Sequence, residues 1–165
     1  MADFLKALPF ALRHEGGFSD HPADKGGRTN LGVTQATLDM FRRRDASLPL
    51  DVADLTQEQA AQIYRAGYWF FDGVANQAVA TKLLDMAVNL GPVRAVMLCQ
   101  RALGGAVQMD GRWGPKTEAA VNACPDLLDR LCLEQETFYR RIVERDTSQA
   151  IFLKGWTRRA REVPA

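Results

Sequence analysis

No stretch of this 165-residue chain approaches the run of roughly 20 apolar residues that a membrane-crossing helix needs. The N-terminal stretch from Met1 to Leu12 is broken by Asp3, Lys6 and Pro9. It therefore lacks the apolar core and the small-residue cleavage site of a secretory signal, and the expectation is synthesis in the cytoplasm without a signal peptide. Excess charge is missing too. The net charge is +1, so nothing in bulk favours nucleic acid. Two local basic runs, Arg42 to Arg44 and Lys154, Arg158, Arg159 and Arg161, read as solvated helix faces. Cysteine is scarce. Cys99, Cys124 and Cys132 are odd in number and show no CxxC spacing, which argues against a disulfide framework and for a reducing compartment of synthesis. They read as small buried hydrophobes. No internal period and no low-complexity tract is present, so solenoids and linkers are excluded.

What the chain does have is an ordinary globular composition, 47% hydrophobic and 25% charged, at a length suited to one domain or one enlarged by a small module. Phe4, Leu8, Ala11 and Leu12 form an apolar stripe at helical spacing, with Asp3 as N-cap. Pro9 implies either a kink or a start near Leu8. Gly16 to Gly32 is rich in turn-forming residues, and a short hairpin pairing Arg28 to Val33 with Phe18 to Asp20 across Gly26-Gly27 is one way to order it. Helices are expected over about 34–43, 56–66 with a Thr56-to-Gln59 capping box, and 76–90. Beyond Gly91-Pro92 come a helix to about Leu103 and another begun by Pro115. A long last helix carries the stripe Leu128, Leu131, Gln135, Phe138 and Ile142, and the tail to Arg161 adds a turn or two. The fold class is mainly α: a lysozyme-like helical fold with a loop or short hairpin after the first helix and a C-terminal helical module. The boundary at Gly91-Pro92 divides the chain into residues 1–91, catalytic, and residues 92–165, packed on them.

Candidate chemistry concentrates at His14-Glu15-Gly16-Gly17. Glu15 stands four residues after Ala11 and seven after Leu8, on the apolar face at the helix end. Desolvation there raises a carboxyl pKa, so the group can stay protonated near neutral pH and donate to a leaving oxygen, which is what a glycosidase acid must do. The structural alternative is a glutamate in a fraying last turn that points to solvent. Asp24 is nine residues on, near enough along the chain to fold back within the roughly 5 to 9.5 Å of a glycosidase carboxyl pair. Asp20, just before His21-Pro22, reads as a turn former. Rival chemistries fit poorly. Phe18 occupies the place of the second histidine of an HExxH zinc motif, and Pro22 and Leu31 occupy ligand positions of a calcium loop. The Gly27-to-Gly32 spacing lacks a phosphate-binding lysine. No metal or cofactor is expected.

The stretch from Glu15 to Thr34, with Glu15-Gly16-Gly17-Phe18-Ser19-Asp20 at its head and Gly26-Gly27-Arg28-Thr29-Asn30 near its end, resembles the opening signature of the glycoside hydrolase family 108 N-acetylmuramidases, also called secretion-activator or phage endolysin proteins. Tyr68-Trp69-Phe70 and Asp85-Met86-Ala87-Val88-Asn89-Leu90-Gly91 are similar to that family's middle segments, and Asp110-Gly111-Arg112-Trp113-Gly114-Pro115-Lys116-Thr117 resembles the turn of its C-terminal peptidoglycan-binding module. The resemblance implies cleavage of the bond between N-acetylmuramic acid and N-acetylglucosamine, with Glu15 as the essential acid. The spacing Glu15, Asp24, Thr29 also resembles the Glu, Asp, Thr triad of phage-type lysozymes, in which the Thr lies one residue further on. It implies that Asp24 stabilises the transition state or orients a water that Thr29 positions. Tyr68, Trp69, Asn89 and Trp113 are candidate substrate-binding residues; core packing is the alternative for the aromatic ones and plain solvent exposure for Asn89. The partner implied is bacterial peptidoglycan, met in the periplasm or cell wall by a monomer that a holin-type pore assists, with no nucleic acid and no stable membrane insertion. A lytic transglycosylase and a non-catalytic wall-binding or phage-tail module are the competing readings.

Overall fold

The computed structural model describes residues 1–13, 18 and 28–164. Among these there are eight α-helices and one minimal hairpin: α1 (Phe4–Leu12), β1 (Thr29–Asn30), β2 (Val33–Thr34), α2 (Gln35–Arg42), α3 (Gln57–Tyr68), α4 (Gln77–Leu90), α5 (Pro92–Ala102), α6 (Pro115–Asn122), α7 (Leu127–Arg145) and α8 (Ala150–Arg161). The mainly α expectation holds. No helix of the described residues is long and apolar enough to cross a membrane.

The helix α4 is the axis of the molecule. Every residue from Val79 to Ala87 is buried, and the run includes Thr81, Lys82 and Asp85. A helix buried on all sides must place its polar groups against partners. Helix α1 packs along it through Phe4, Ala7 and Ala11. The two alanines are fully buried, and their small side chains let the backbones come close. Both helices begin at one end of the molecule, where the Gln77 side chain accepts from Asp3 N (2.7 Å) and donates to Asp3 O (3.0 Å). Asp3 caps α1 as its sequence suggested, accepting from Leu5 N at 2.9 Å. The helix runs unbroken from Phe4 to Leu12 with Pro9 inside it, so a start near Leu8 is not what forms. Pro9 leaves the Leu5 carbonyl without its helical donor, and Leu5 is 71% exposed, where solvent can serve that oxygen.

The Thr56–Gln59 capping box is present in full, with Gln59 N donating to Thr56 Oγ1 at 3.2 Å and Thr56 N to Gln59 Oε1 at 3.1 Å. Gly91, at φ +85°, ends α4 and begins α5, which packs back on α4. The cysteines are all free; Cys99 is buried, with desolvation pushing its thiol up to about 12, whereas Cys124 and Cys132 are half-buried.

The C-terminal tail departs from the sequence expectation. Instead of a turn or two prolonging the last helix, α7 stops at Asp146 (φ −142°, ψ 95°) and α8, twelve residues long, folds back along it. The Asp146 carboxylate causes the break by accepting from Ser148 N (3.0 Å) and Ser148 Oγ (2.6 Å), local bonds that compete with helix continuation. Trp156 then stacks on Tyr139 at 5.2 Å between ring centroids. Arg159, expected on a solvated face, is instead buried against α4: its Nε and Nη2 reach Asp85 Oδ1 at 3.0 and 2.9 Å. Beside it, Lys82 Nζ donates to the carbonyls of Arg159 (3.0 Å), Ala160 (2.8 Å) and Glu162 (3.2 Å). The ammonium thus caps the C-terminal end of α8, where helix carbonyls lack partners and the macrodipole is negative. Burial nevertheless pushes the Lys82 ammonium below the usual lysine range.

Candidate active site

The segment before α2 is a frame built from side-chain-to-backbone bonds. Thr29 pairs with Thr34 and Asn30 with Val33 in an antiparallel register. The turn between them places Leu31 at φ 51° and Gly32 at φ 75°, the two positive φ values of a type I′ hairpin. Glycine adopts this freely; leucine does so at a cost that fixed surroundings must offset. They do so here, because the Tyr64 hydroxyl donates to Leu31 O at 2.8 Å and Asn30 Nδ2 donates to Val52 O at 3.0 Å. The Gln35 side chain accepts from Val52 N (2.8 Å) and donates to Leu50 O (2.9 Å), and Arg28 Nη1 pairs with Asp51 Oδ2 at 2.8 Å. A donated bond from Ala53 N, and then the Arg28 bond, hold the Asp51 carboxyl below its usual range. The Arg28 guanidinium also lies 5.6 Å from the centre of the half-exposed Phe18 ring. The expected pairing of Arg28 to Val33 with Phe18 to Asp20 across Gly26-Gly27 falls largely outside the described residues, and the hairpin that is seen is shorter and lies within 29–34.

Glu15 and Asp24 also lie outside the described residues. Thr29 is on β1, half-buried, on the braced hairpin. Tyr68 ends α3 half-buried, tilted against Tyr64 at 5.4 Å. Trp69 is core: it is 4% exposed, edge-on to Phe4 and Phe71, and its Nε1 donates to Asp72 Oδ1 at 2.8 Å. Its ring offers no open face to a sugar in this arrangement. Trp113 packs against Phe71 (4.9 Å) and Phe70 (5.9 Å), and so joins the turn before α6 to the segment after α3. That turn is organised by buried Gln100, whose Oε1 accepts from Gly111 N (2.9 Å) while its Nε2 donates to Asp110 Oδ1 (2.9 Å) and Arg112 O (3.1 Å). Gly111 has φ +72°, and a Cβ there would come within 2.9 Å of Val93 Cγ1, so only glycine fits. Asn89 sits in the last turn of α4, half-buried, with its Oδ1 accepting from the Tyr139 hydroxyl at 2.5 Å.

Residues 8–91 match the family model described as Glycosyl hydrolase 108. The chain belongs to that family. Residues 94–161 of this glycosyl hydrolase 108 member match a second model, described as Predicted Peptidoglycan domain. The solved structure of Brucella abortus SagA is similar, with 37% identity and a TM-score of 0.78, and the likeness covers 95% of this chain and 88% of that one. A comparison with curated proteins found no match. The two matched regions mark a glycoside hydrolase that acts on peptidoglycan.

Within this glycosyl hydrolase 108 fold, two residues passed over in the sequence stand next to Asn89. Tyr139 is 2% exposed and Gln135 fully buried, and Gln135 Nε2 donates to the Tyr139 hydroxyl at 3.0 Å. The signal that could have found them is the polar interruption of the α7 stripe: Gln135 occupies a core position where an aliphatic side chain is expected, and Tyr139 follows one turn later on the same face.

Proposed function

We propose that this chain is an N-acetylmuramidase that hydrolyses the β-1,4 bond between N-acetylmuramic acid and N-acetylglucosamine, with Glu15 as general acid. The observation that carries the reading is the Glycosyl hydrolase 108 match over residues 8–91, which includes the Glu15-Gly16-Gly17 motif. Glu15 donates its proton to the glycosidic oxygen as the bond from that oxygen to the muramic acid C1 breaks, and positive charge develops on the sugar ring. Asp24 stabilises that charge or orients the incoming water, and Thr29 positions the water from the hairpin that Asn30 and Tyr64 brace. The half-buried Tyr68 ring gives a sugar face a surface to stack on. The C-terminal module, matching a peptidoglycan domain, keeps the enzyme on the polymer. It acts as a lysin in the cell wall or periplasm, where its polymer substrate lies.

Glu15→Gln should fold normally and lose about 10²- to 10⁴-fold in release of reducing ends from purified cell walls, the range of a general acid's contribution. A folded variant that still clears walls at the parental rate would end the assignment. Mass spectrometry of the digest separates the chemistries. Reducing muramic acid ends support hydrolysis, whereas anhydro ends indicate a transglycosylase and an intact wall indicates a binder.

A further inference from the structure

Asn89, Tyr139 and Gln135 form a hydrogen-bond chain with a fixed polarity. Gln135 Nε2 donates to the Tyr139 oxygen (3.0 Å), and the Tyr139 hydroxyl donates onward to Asn89 Oδ1 (2.5 Å). With its oxygen engaged, the Asn89 amide turns its NH2 group the other way, and among the described residues nothing accepts from it. Asn89 is half-buried at the end of α4, so those two donors have access to a ligand. The chain is also costly. Gln135 is fully buried, and its Oε1 has no hydrogen-bond partner among the described residues. An orphaned buried carbonyl costs free energy that a leucine at the same core position would avoid. A buried polar chain that sacrifices one acceptor in order to aim one donor is best explained by what the donor meets.

The position of that donor follows from helix register. Helices α1 and α4 begin together at Asp3 and Gln77 and run side by side. Equal rises of about 1.5 Å per residue bring Leu12 and Arg13 level with the second half of α4, the half that ends in Asn89. Asn89 lies within residues 8–91, the part of the chain that matches the glycosyl hydrolase model, and both sugars of a peptidoglycan strand carry an acetamido group whose carbonyl oxygen is a strong acceptor.

We propose that Asn89 is a substrate-binding residue that donates from Nδ2 to an acetamido carbonyl of the glycan, and that Tyr139 and Gln135 on α7 are positioning residues that fix the orientation of its amide. The inference rests on the muramidase reading and adds to it. The C-terminal module, beyond any tethering, supplies the buried side chains that aim a donor on the catalytic half.

The test uses the full chain carrying Glu15→Gln, so that bound glycan persists, and measures by calorimetry its affinity for a soluble fragment of alternating N-acetylglucosamine and N-acetylmuramic acid and for the same fragment after chemical de-N-acetylation. Asn89→Ala should weaken binding of the acetylated fragment about tenfold, the loss of one well-formed hydrogen bond, and leave the de-N-acetylated fragment nearly unaffected. Tyr139→Phe should show the same selective loss at a smaller factor. Asn89→Asp keeps the acceptor for Tyr139 but lacks the donor, and should bind the acetylated fragment no better than the alanine variant. Equal losses on both fragments, no loss at all, or a parent that does not distinguish the fragments would each overturn the proposal. Its failure is separable from that of the muramidase reading, which falls if the chain with Glu15 intact releases no reducing ends from cell walls.

Discussion

Two polar networks tie α4 to the C-terminal half, and they are built on opposite principles. Lys82 and Asp85 engage α8 through buried charges, with three carbonyls around one ammonium and a two-pronged guanidinium on one carboxylate oxygen. One turn further along the same face, Asn89 engages α7 through neutral groups only. In the charged network each group is satisfied largely by the opposing helix, and only Asp85 Oδ2 lacks a partner among the described residues. The neutral network spends its bonds on orienting an amide whose own donors are left over. A charge in a buried helix interface demands its partner, because deleting either one strands an ion in low dielectric. A neutral chain is the cheaper way to set the direction of one group without perturbing the charges nearby.

This contrast can be broken most forcefully at Arg159. Arg159→Ala leaves Asp85 buried without its cation and should cost about 3–5 kcal/mol in urea unfolding, whereas pairing Arg159→Met with Asp85→Leu should recover most of that loss. A single alanine variant within about 1 kcal/mol of the parent would show that the pair is not what anchors α8. Lys82→Met comes next: it removes the cap from the end of α8 and should cost about 1–3 kcal/mol, with unchanged glycan affinity in the fraction that remains folded. Tyr139→Phe sharpens the other side. It should cost no more than about 1.5 kcal/mol of stability, and a larger loss would make the neutral chain a second anchor rather than an aiming device.

The smallest effect is at Glu136 on α7, whose carboxyl the Arg161 and Arg140 guanidiniums hold at about 2, against an ordinary 4.5. The folded state favours the carboxylate, so its contribution is complete above about 4.5 and disappears as pH falls through about 2. Glu136→Gln should therefore flatten the acid limb of stability over that interval and leave the slope near neutral pH unchanged. An identical acid limb in parent and variant would mean that the Arg161–Glu136 pair contributes nothing to holding α8 against α7.

Much of the architecture could be read along the chain because its causes are local. Asp3 and Thr56 cap the helices they were expected to cap, and Pro92 and Pro115 open α5 and α6 where a missing N–H does no harm. The motif from Glu15 to Thr34 was enough to point to the family because it is a long contiguous string. The candidate site was less legible. Trp69 and Trp113 looked alike as stacking residues, and only packing distinguishes a ring enclosed by Phe4 and Phe71 from one bridging two segments through Phe70 and Phe71.

Helix starts, apolar faces and the peptidoglycan-directed family of this chain follow from neighbouring residues, since caps, stripes and turns depend on spacings of three or four. The fate of Arg159, the separate helix after Asp146 and the aim of Asn89 were decided by partners 50 to 74 positions away or by a competing turn. Arginine, tyrosine and asparagine satisfy their hydrogen-bonding groups equally well in water or in a core. Which of the two they meet depends on how the helices come together, and that is a property of the assembled fold.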